Sequence, residues 1–282
     1  MQSRSGSPAE GNGALTIDRE SLFEAIREEF RLRPPTIGLI GLSGVGKSST
    51  INAMFGTSLP VSATTRGTTR FIASDIEIKA RELFGQSAQA TLRVLDAPGL
   101  GEDVDLDKKY LDYYRRHLKK CDAVIWVLAG RNRALALDQR YLKTLRDRLP
   151  NLVLGVNQSD FIDPLDWNAR TNMPSASQRE NIATILTDRQ ERLARLFGQP
   201  VPVVAYSAVR YYGLYDLFNA CIDQVSPNRR WMFEIIRKFS PDDWLERAAA
   251  LSDEQRAKIK AQMGVNETRH ALEQVVSEAL GA

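Results

Sequence analysis

The strongest constraint on this chain is an alternation that runs for nearly two hundred residues. Short apolar runs at 36–41, 91–95, 123–129, 152–156 and 201–206 are separated by turn-rich or helix-periodic segments, with one run of alternating polarity at 71–79. Helical periodicity follows Lys47 and recurs around 106–118, 138–149, 178–197 and 214–225. Continuously apolar strands that alternate with helices must be covered on both sides. The pattern therefore predicts an α/β fold with a mostly parallel sheet flanked by helices. Outside this region the signals are helical. Residues 17–33 put Leu22, Phe23, Ile26 and Phe30 on one face, with Ser21 and Glu24 at capping-box spacing, before Pro34 and Pro35 stop the helix. After Pro227, Met232, Ile235, Ile236 and Phe239 fall at helical spacing, and Leu272, Val275, Val276, Ala279 and Leu280 repeat it. Three parts follow: a disordered leader and amphipathic helix at 1–34, an α/β domain at 35–225, and a helical segment at 226–282. The helices of the two ends are expected to pack as a small bundle.

Composition narrows the class further. The 282 residues are 43% hydrophobic and 26% charged, which excludes wholesale disorder, and the net charge of +3 is too small for a surface that coats nucleic acid. Cys121 and Cys221 lie far apart in apolar surroundings, as buried reduced thiols do, and they exclude a disulfide framework or a cysteine metal cluster. No stretch approaches the length of apolar chain that spans a bilayer, and residues 1–13 lack a secretory signal's apolar centre, so a cytoplasmic location is expected.

Chemistry first appears at residues 41–48, GLSGVGKS, which fit G-x-x-x-x-G-K-[ST] and stand between an apolar strand and a helix. Glycines let such a loop wrap a polyphosphate with its N–H groups, and the helix N-terminus adds positive potential. Ser43, Gly44, Val45, Gly46, Lys47, Ser48 and Ser49 are therefore candidate phosphate contacts, with Lys47 reaching the terminal phosphates and Ser48 binding Mg²⁺. Asp96 ends the run RVLD and begins DAPG, which places an acid at a strand's C-terminal end as a magnesium-side carboxylate, while Gly99 can offer an N–H to a γ-phosphate. Asn157, Gln158 and Asp160 follow the next apolar strand, and Ser207 and Ala208 the one after. A carboxylate at Asp160 can accept from both N1 and N2 of guanine, donors that adenine does not offer.

This order of motifs resembles the translation-factor-class P-loop GTPases, and its details look most like the Era-related branch with the bacterial YeeP/YfjP-type proteins. The resemblance covers residues 36–225. In it, residues 41–48 match the first motif, Thr68-Thr69-Arg70 the second, Asp96 to Gly99 the third, Asn157 to Asp160 the fourth and Ser207-Ala208 the fifth. Gly213-Leu-Tyr-Asp-Leu217 also looks like the start of the family's last helix. The resemblance implies binding of Mg²⁺ and of GTP, hydrolysed to GDP and phosphate, in a molecular switch. Thr69 (or Thr68) would then bind Mg²⁺ and close over the γ-phosphate, with Thr64-Thr65-Arg66 as an alternative register. Lys47, Thr69 and Gly99 are the candidate catalytic groups, and Ser48, Thr69 and Asp96 the candidate metal ligands.

Three departures bear on activity. Gln158 replaces the family's lysine, which should weaken nucleotide affinity without erasing guanine preference. Leu100 stands where many relatives carry a water-orienting glutamine, so intrinsic hydrolysis is expected to be slow. Gly44 stands where relatives that recruit K⁺ have asparagine, which counts against K⁺ activation. The alternative reading is a nucleotide-gated scaffold that hydrolyses little and acts by forming a homodimer or by docking on a protein or membrane. A KH domain with its G-x-x-G loop is absent from 227–282, which disfavours rRNA binding of the Era kind.

Other conspicuous residues read more simply as structure. His117 and His270 lack ligands at metal spacing. Residues 110–120 (YLDYYRRHLKK) read as a solvated face over Leu111, Tyr114 and Leu118 rather than an RNA contact. Arg131 and Arg133 follow a strand near the expected nucleotide and read as solvation at a helix start, and Trp126 and Trp167 as packing residues.

Overall fold

A computed structural model describes residues 19–57, 59, 72–83, 86–131 and 135–239. Thr64, Thr65, Thr68, Thr69, Arg133 and His270, the leader, and the helical pattern at 272–280 lie outside them.

The strands are β1 (Thr36–Gly41), β2 (Ile72–Leu83), β3 (Gln86–Asp96), β4 (Ala123–Ala129), β5 (Leu152–Asn157) and β6 (Val203–Ala205), in the order β2-β3-β1-β4-β5-β6. Neighbours pair in parallel, apart from β2, which runs antiparallel to β3 at the edge. The helices are α1 (Arg19–Leu32), α2 (Lys47–Phe55), α3 (Val104–His117), α4 (Ala136–Leu145), α5 (Ala176–Phe197), α6 (Leu214–Gln224) and α7 (Pro227–Phe239). The predicted α/β class, with helices on both faces of a mostly parallel sheet, is the observed one.

Alternation along the strands divides the core in two. On β4, Ala123, Ile125 and Val127 face one layer of helices, α1, α2, α6 and α7, while Val124, Trp126 and Leu128 face α3, α4 and α5. β3 is longer than the apolar run at 91–95 because its first half pairs only with β2. The apolar signal marks the half that also pairs with β1. β6 is shorter than 201–206, since Pro202 has no N–H for a ladder; its carbonyl instead accepts from Leu154 at 2.9 Å. Ser175 caps α5 by accepting from the Gln178 N–H at 3.1 Å.

The helices from the two ends meet, as expected, and they also cover the sheet. Phe30 of α1 and Trp231 of α7 stand edge to face at 5.9 Å, within the same core as Ile37, Val94 and Phe218. Arg229 fastens the junction: its guanidinium donates to Asp122 at 3.0 Å and to the Arg33 carbonyl at 2.8 Å, and lies 3.4 Å from Glu29. Asp122 in turn accepts from the Thr36 N–H that opens β1. No helix among the described residues is long and apolar enough to cross a membrane.

Candidate functional site

Because β1, β3, β4, β5 and β6 run parallel, their C-terminal ends open on one edge, where a doubly covered sheet leaves room for a ligand. Residues 41–48 lead from β1 into α2, whose start has no capping side chain. Its first N–H groups are thus left to an anion. Two close approaches explain glycines here. Gly46 has φ +92°, and a Cβ on it would lie 2.4 Å from Asn157 Nδ2; on Gly99 a Cβ would lie 2.6 Å from Ser43 Cα.

Lys47 is 7% exposed and donates to the Leu42 carbonyl at 2.9 Å. Burial pulls its pKa down to about 8, and the charges of Asp96 and Glu102 pull it back up. Ser48 Oγ donates to Asp96 Oδ2 at 2.8 Å, which brings two hard oxygen donors together at the mouth of the loop. That donor set fits Mg²⁺, which commonly takes one or two protein oxygens and completes its shell with phosphate and water. The groove is also touched by the chain itself: Ser43 Oγ donates to Glu102, and the Ser43 N–H donates to the Leu100 carbonyl at 2.9 Å. Leu100 is fully buried, with its side chain in the core beneath α3 and α4.

At the other end of the edge, Asn157 acts as a brace. Its amide donates to the Val45 carbonyl at 2.9 Å and accepts from the Ala208 N–H at 3.1 Å, joining the phosphate loop, the end of β5 and the loop after β6. Gln158 adopts a left-handed conformation, φ 61°, and the short turn that follows presents Asp160. The Asp160 side chain is 5% exposed, with Oδ1 lacking a hydrogen-bond partner among the described residues and Arg210 Nε 3.9 Å from Oδ2. A buried acceptor left this way calls for a donor, and an unmet one costs about 1–3 kcal/mol. Ser207, almost fully buried, accepts from the Arg210 N–H at 3.1 Å and sets the loop around Ala208.

The structure thus brings Ser43, Gly44, Val45, Gly46, Lys47, Ser48, Ser49, Asp96, Gly99, Asn157, Gln158, Asp160, Ser207 and Ala208 to one edge. Thr69 lies outside the described residues. Most of the residues read as packing are packed. Trp126 is wholly buried, Tyr114 and Leu118 are buried beneath the basic residues while Leu111 is only half-buried, and Trp167 packs edge to face on Tyr212 at 5.1 Å. Arg131 stacks over Phe161 at 5.9 Å. Both cysteines are buried and free.

Sequence reasoning missed several supports. Tyr206 Oη and Thr50 Oγ1 share a hydrogen bond of 2.8 Å, and Thr50 also donates to the Gly46 carbonyl. Asn172 donates to the Arg210 carbonyl at 2.8 Å, tying the segment after Asp160 to the loop after β6. Asp107, Tyr114 and Tyr141 hold the loop after β3. None of these belongs to a motif, and each became visible only through its partner.

A family model described as a 50S ribosome-binding GTPase matches residues 36–158. YfjP of Escherichia coli (strain K12) is 32% identical over 187 residues, 64% of this chain and 58% of that protein. YkfA of the same organism is 34% identical over 187 residues, again 64% of this chain and 58% of that protein. The chain therefore spans under two thirds of the length of these relatives. Among solved structures, Aquifex aeolicus Era Y63A bound to GDP·AlF4⁻ superposes with a TM-score of 0.49 at 16% identity, covering 68% of this chain and 56% of that one. With the phosphate loop, the Ser48–Asp96 pair and Asp160 aligned along one sheet edge, the match over residues 36–158 identifies this part of the chain as a P-loop GTPase domain similar to those of YfjP and YkfA.

Proposed function

We propose that this protein is a guanine-nucleotide switch that binds Mg-GTP and hydrolyses it slowly to GDP and phosphate, with residues 35–225 as the switch domain and 1–34 and 226–282 as helical attachments. The observation that carries this reading is the pairing of Ser48 with Asp96 beside buried Lys47, on the edge where Asp160 keeps an unmet acceptor. Ser48, Asp96 and Thr69 would hold Mg²⁺, which neutralises charge developing on the phosphate oxygens. Lys47 supplies a second positive charge, the N–H groups of residues 43–49 cradle the phosphates, and the Gly99 N–H meets the γ-phosphate. Asp160 selects guanine, with Asn157, Ser207 and Ala208 fixing the loops around it. Gln158 lies beside the base without a lysine's ammonium. The contact from Ser43 to Glu102 gives the switch its moving part, because a terminal phosphate entering the loop competes with it.

The second reading, a nucleotide-gated scaffold that dimerises or docks on a protein or membrane with little hydrolysis, draws on Leu100. Its side chain is sealed in the core and cannot orient a water molecule. Phosphate release measured with GTP and ATP, in Na⁺ and in K⁺, separates the two. GTP turnover above a Lys47→Ala control is expected. GTP binding without such turnover would leave the scaffold.

A further inference from the structure

The loop from Asp96 to Gly101 is held from behind by buried polar groups that no motif contains. Asp107, in the first turn of α3, is 7% exposed, and its carboxylate is shared. Oδ1 accepts from the Gly101 N–H at 2.9 Å, and Oδ2 accepts from the phenol of Tyr141 on α4. Tyr141 is equally buried, and burial together with the Asp107 carboxylate pushes its phenol up to about 12, so it stays a donor. Two residues before Leu100, the Pro98 carbonyl accepts from the phenol of Tyr114, which is fully buried. Leu100 itself is bonded to the phosphate loop on both sides, its N–H to the Gly41 carbonyl at 3.2 Å and its carbonyl to the Ser43 N–H at 2.9 Å. Gly99 is the residue between these anchors, so close to the phosphate loop that a Cβ on it would lie 2.6 Å from Ser43 Cα.

A side chain at position 100 that cannot orient water leaves the placement of this backbone as the loop's contribution to chemistry. Preorganised donors are worth most when the surrounding structure keeps them from relaxing. We propose that Asp107 is a positioning residue for the hydrolysis proposed above, on which this inference rests. By bridging Gly101 to Tyr141, its carboxylate fixes the Gly99 N–H against the terminal phosphate and makes turnover depend on where α4 stands. The Asp107 carboxylate bonds to Gly101 and Tyr141, neither of them a candidate phosphate or metal contact, and acts through the loop.

The test compares Asp107→Ala, Asp107→Asn and Tyr141→Phe in the full chain, reading kcat, KM, and the affinities for GDP and a non-hydrolysable GTP analogue. Tyr141→Phe should lower kcat about three- to tenfold with GDP affinity unchanged. Asp107→Ala should lower it further, and Asp107→Asn should recover part of the loss, because an amide oxygen still accepts from Gly101. The ratio of analogue to GDP affinity should fall in the same order, since GDP presents no terminal phosphate to Gly99. Equal losses for both nucleotides, or a lowered melting temperature with kcat and the ratio unchanged, would overturn the proposal. If the wild-type chain shows no turnover above Lys47→Ala, the hydrolysis reading fails and the affinity ratio decides the positioning role alone: a fall supports it and an unchanged ratio ends it.

Discussion

The two faces of the sheet are built from the same strands but do different work. The face under α1, α2, α6 and α7 is packed with aliphatic and aromatic side chains, including edge-to-face pairs of Phe30 with Trp231 and Phe55 with Phe218. The face under α3, α4 and α5 buries charged and phenolic groups among its apolar ones. Asp138 accepts from Trp126 Nε1 at 2.9 Å, Asp107 takes Tyr141 and Gly101, and Tyr114 holds Pro98. Apolar packing stabilises without direction, whereas a buried hydrogen bond fixes one geometry and is expensive when broken. The first face is suited to holding the domain together, and the second to holding a loop in place.

The largest effect that could break this contrast lies on the first face. Phe30→Ala should cost about 3–5 kcal/mol through lost burial and the cavity left against Trp231. Thermal unfolding should show it, with GDP affinity of the folded fraction unchanged. A large drop in that affinity would mean the first face also shapes the site.

On the second face, burial pushes the Asp138 carboxyl up to about 6, against the pull of the Trp126 N–H. Between the unfolded value near 3.8 and about 6, the folded state holds a proton that the unfolded chain has lost. Stability should therefore fall by about 3 kcal/mol as pH rises through that window and level off above it. Asp138→Asn keeps an acceptor for Trp126 and should remove this contribution to the slope in denaturant midpoints measured from pH 4 to 7. A variant with the same slope as wild type would remove Asp138 from the account.

The smallest effect sharpens the comparison at the first face's own polar pair. Tyr206→Phe removes the bond to Thr50 and should cost about 1 kcal/mol of stability. Nucleotide affinity should stay within a factor of two or so of wild type, unless the tie from Thr50 to Gly46 helps shape the phosphate loop.

Legibility in the sequence followed the same division. Apolar runs located β1 and β4 to the residue, because strands buried on both sides leave no polar interruption. The edge strands β2 and β6 and the first half of β3 were blurred, because their pairing is only partly reflected in burial. Residues 41–48, Asp96 and Asp160 could be read since their chemistry demands fixed types at fixed spacing. Asp107, Tyr141 and Tyr206 could not. Each is ordinary in its own helix or strand, and its partner lies 34 residues away for Asp107 with Tyr141 and 156 for Thr50 with Tyr206. Gln158 was legible as a substitution, but its left-handed backbone was not.

The clasp at Arg229 carries a consequence for how the chain is made. Glu29 and Arg229 are separated by 200 residues, and the stripe of Phe23, Ile26 and Phe30 is finished only when Trp231 arrives. At roughly 5–20 residues per second of synthesis, α1 emerges about 10–40 s before the helix that completes its cover. During that interval the growing chain carries an apolar stripe that the strands can cover only in part, so the nascent protein is open to aggregation at α1 until α7 is made.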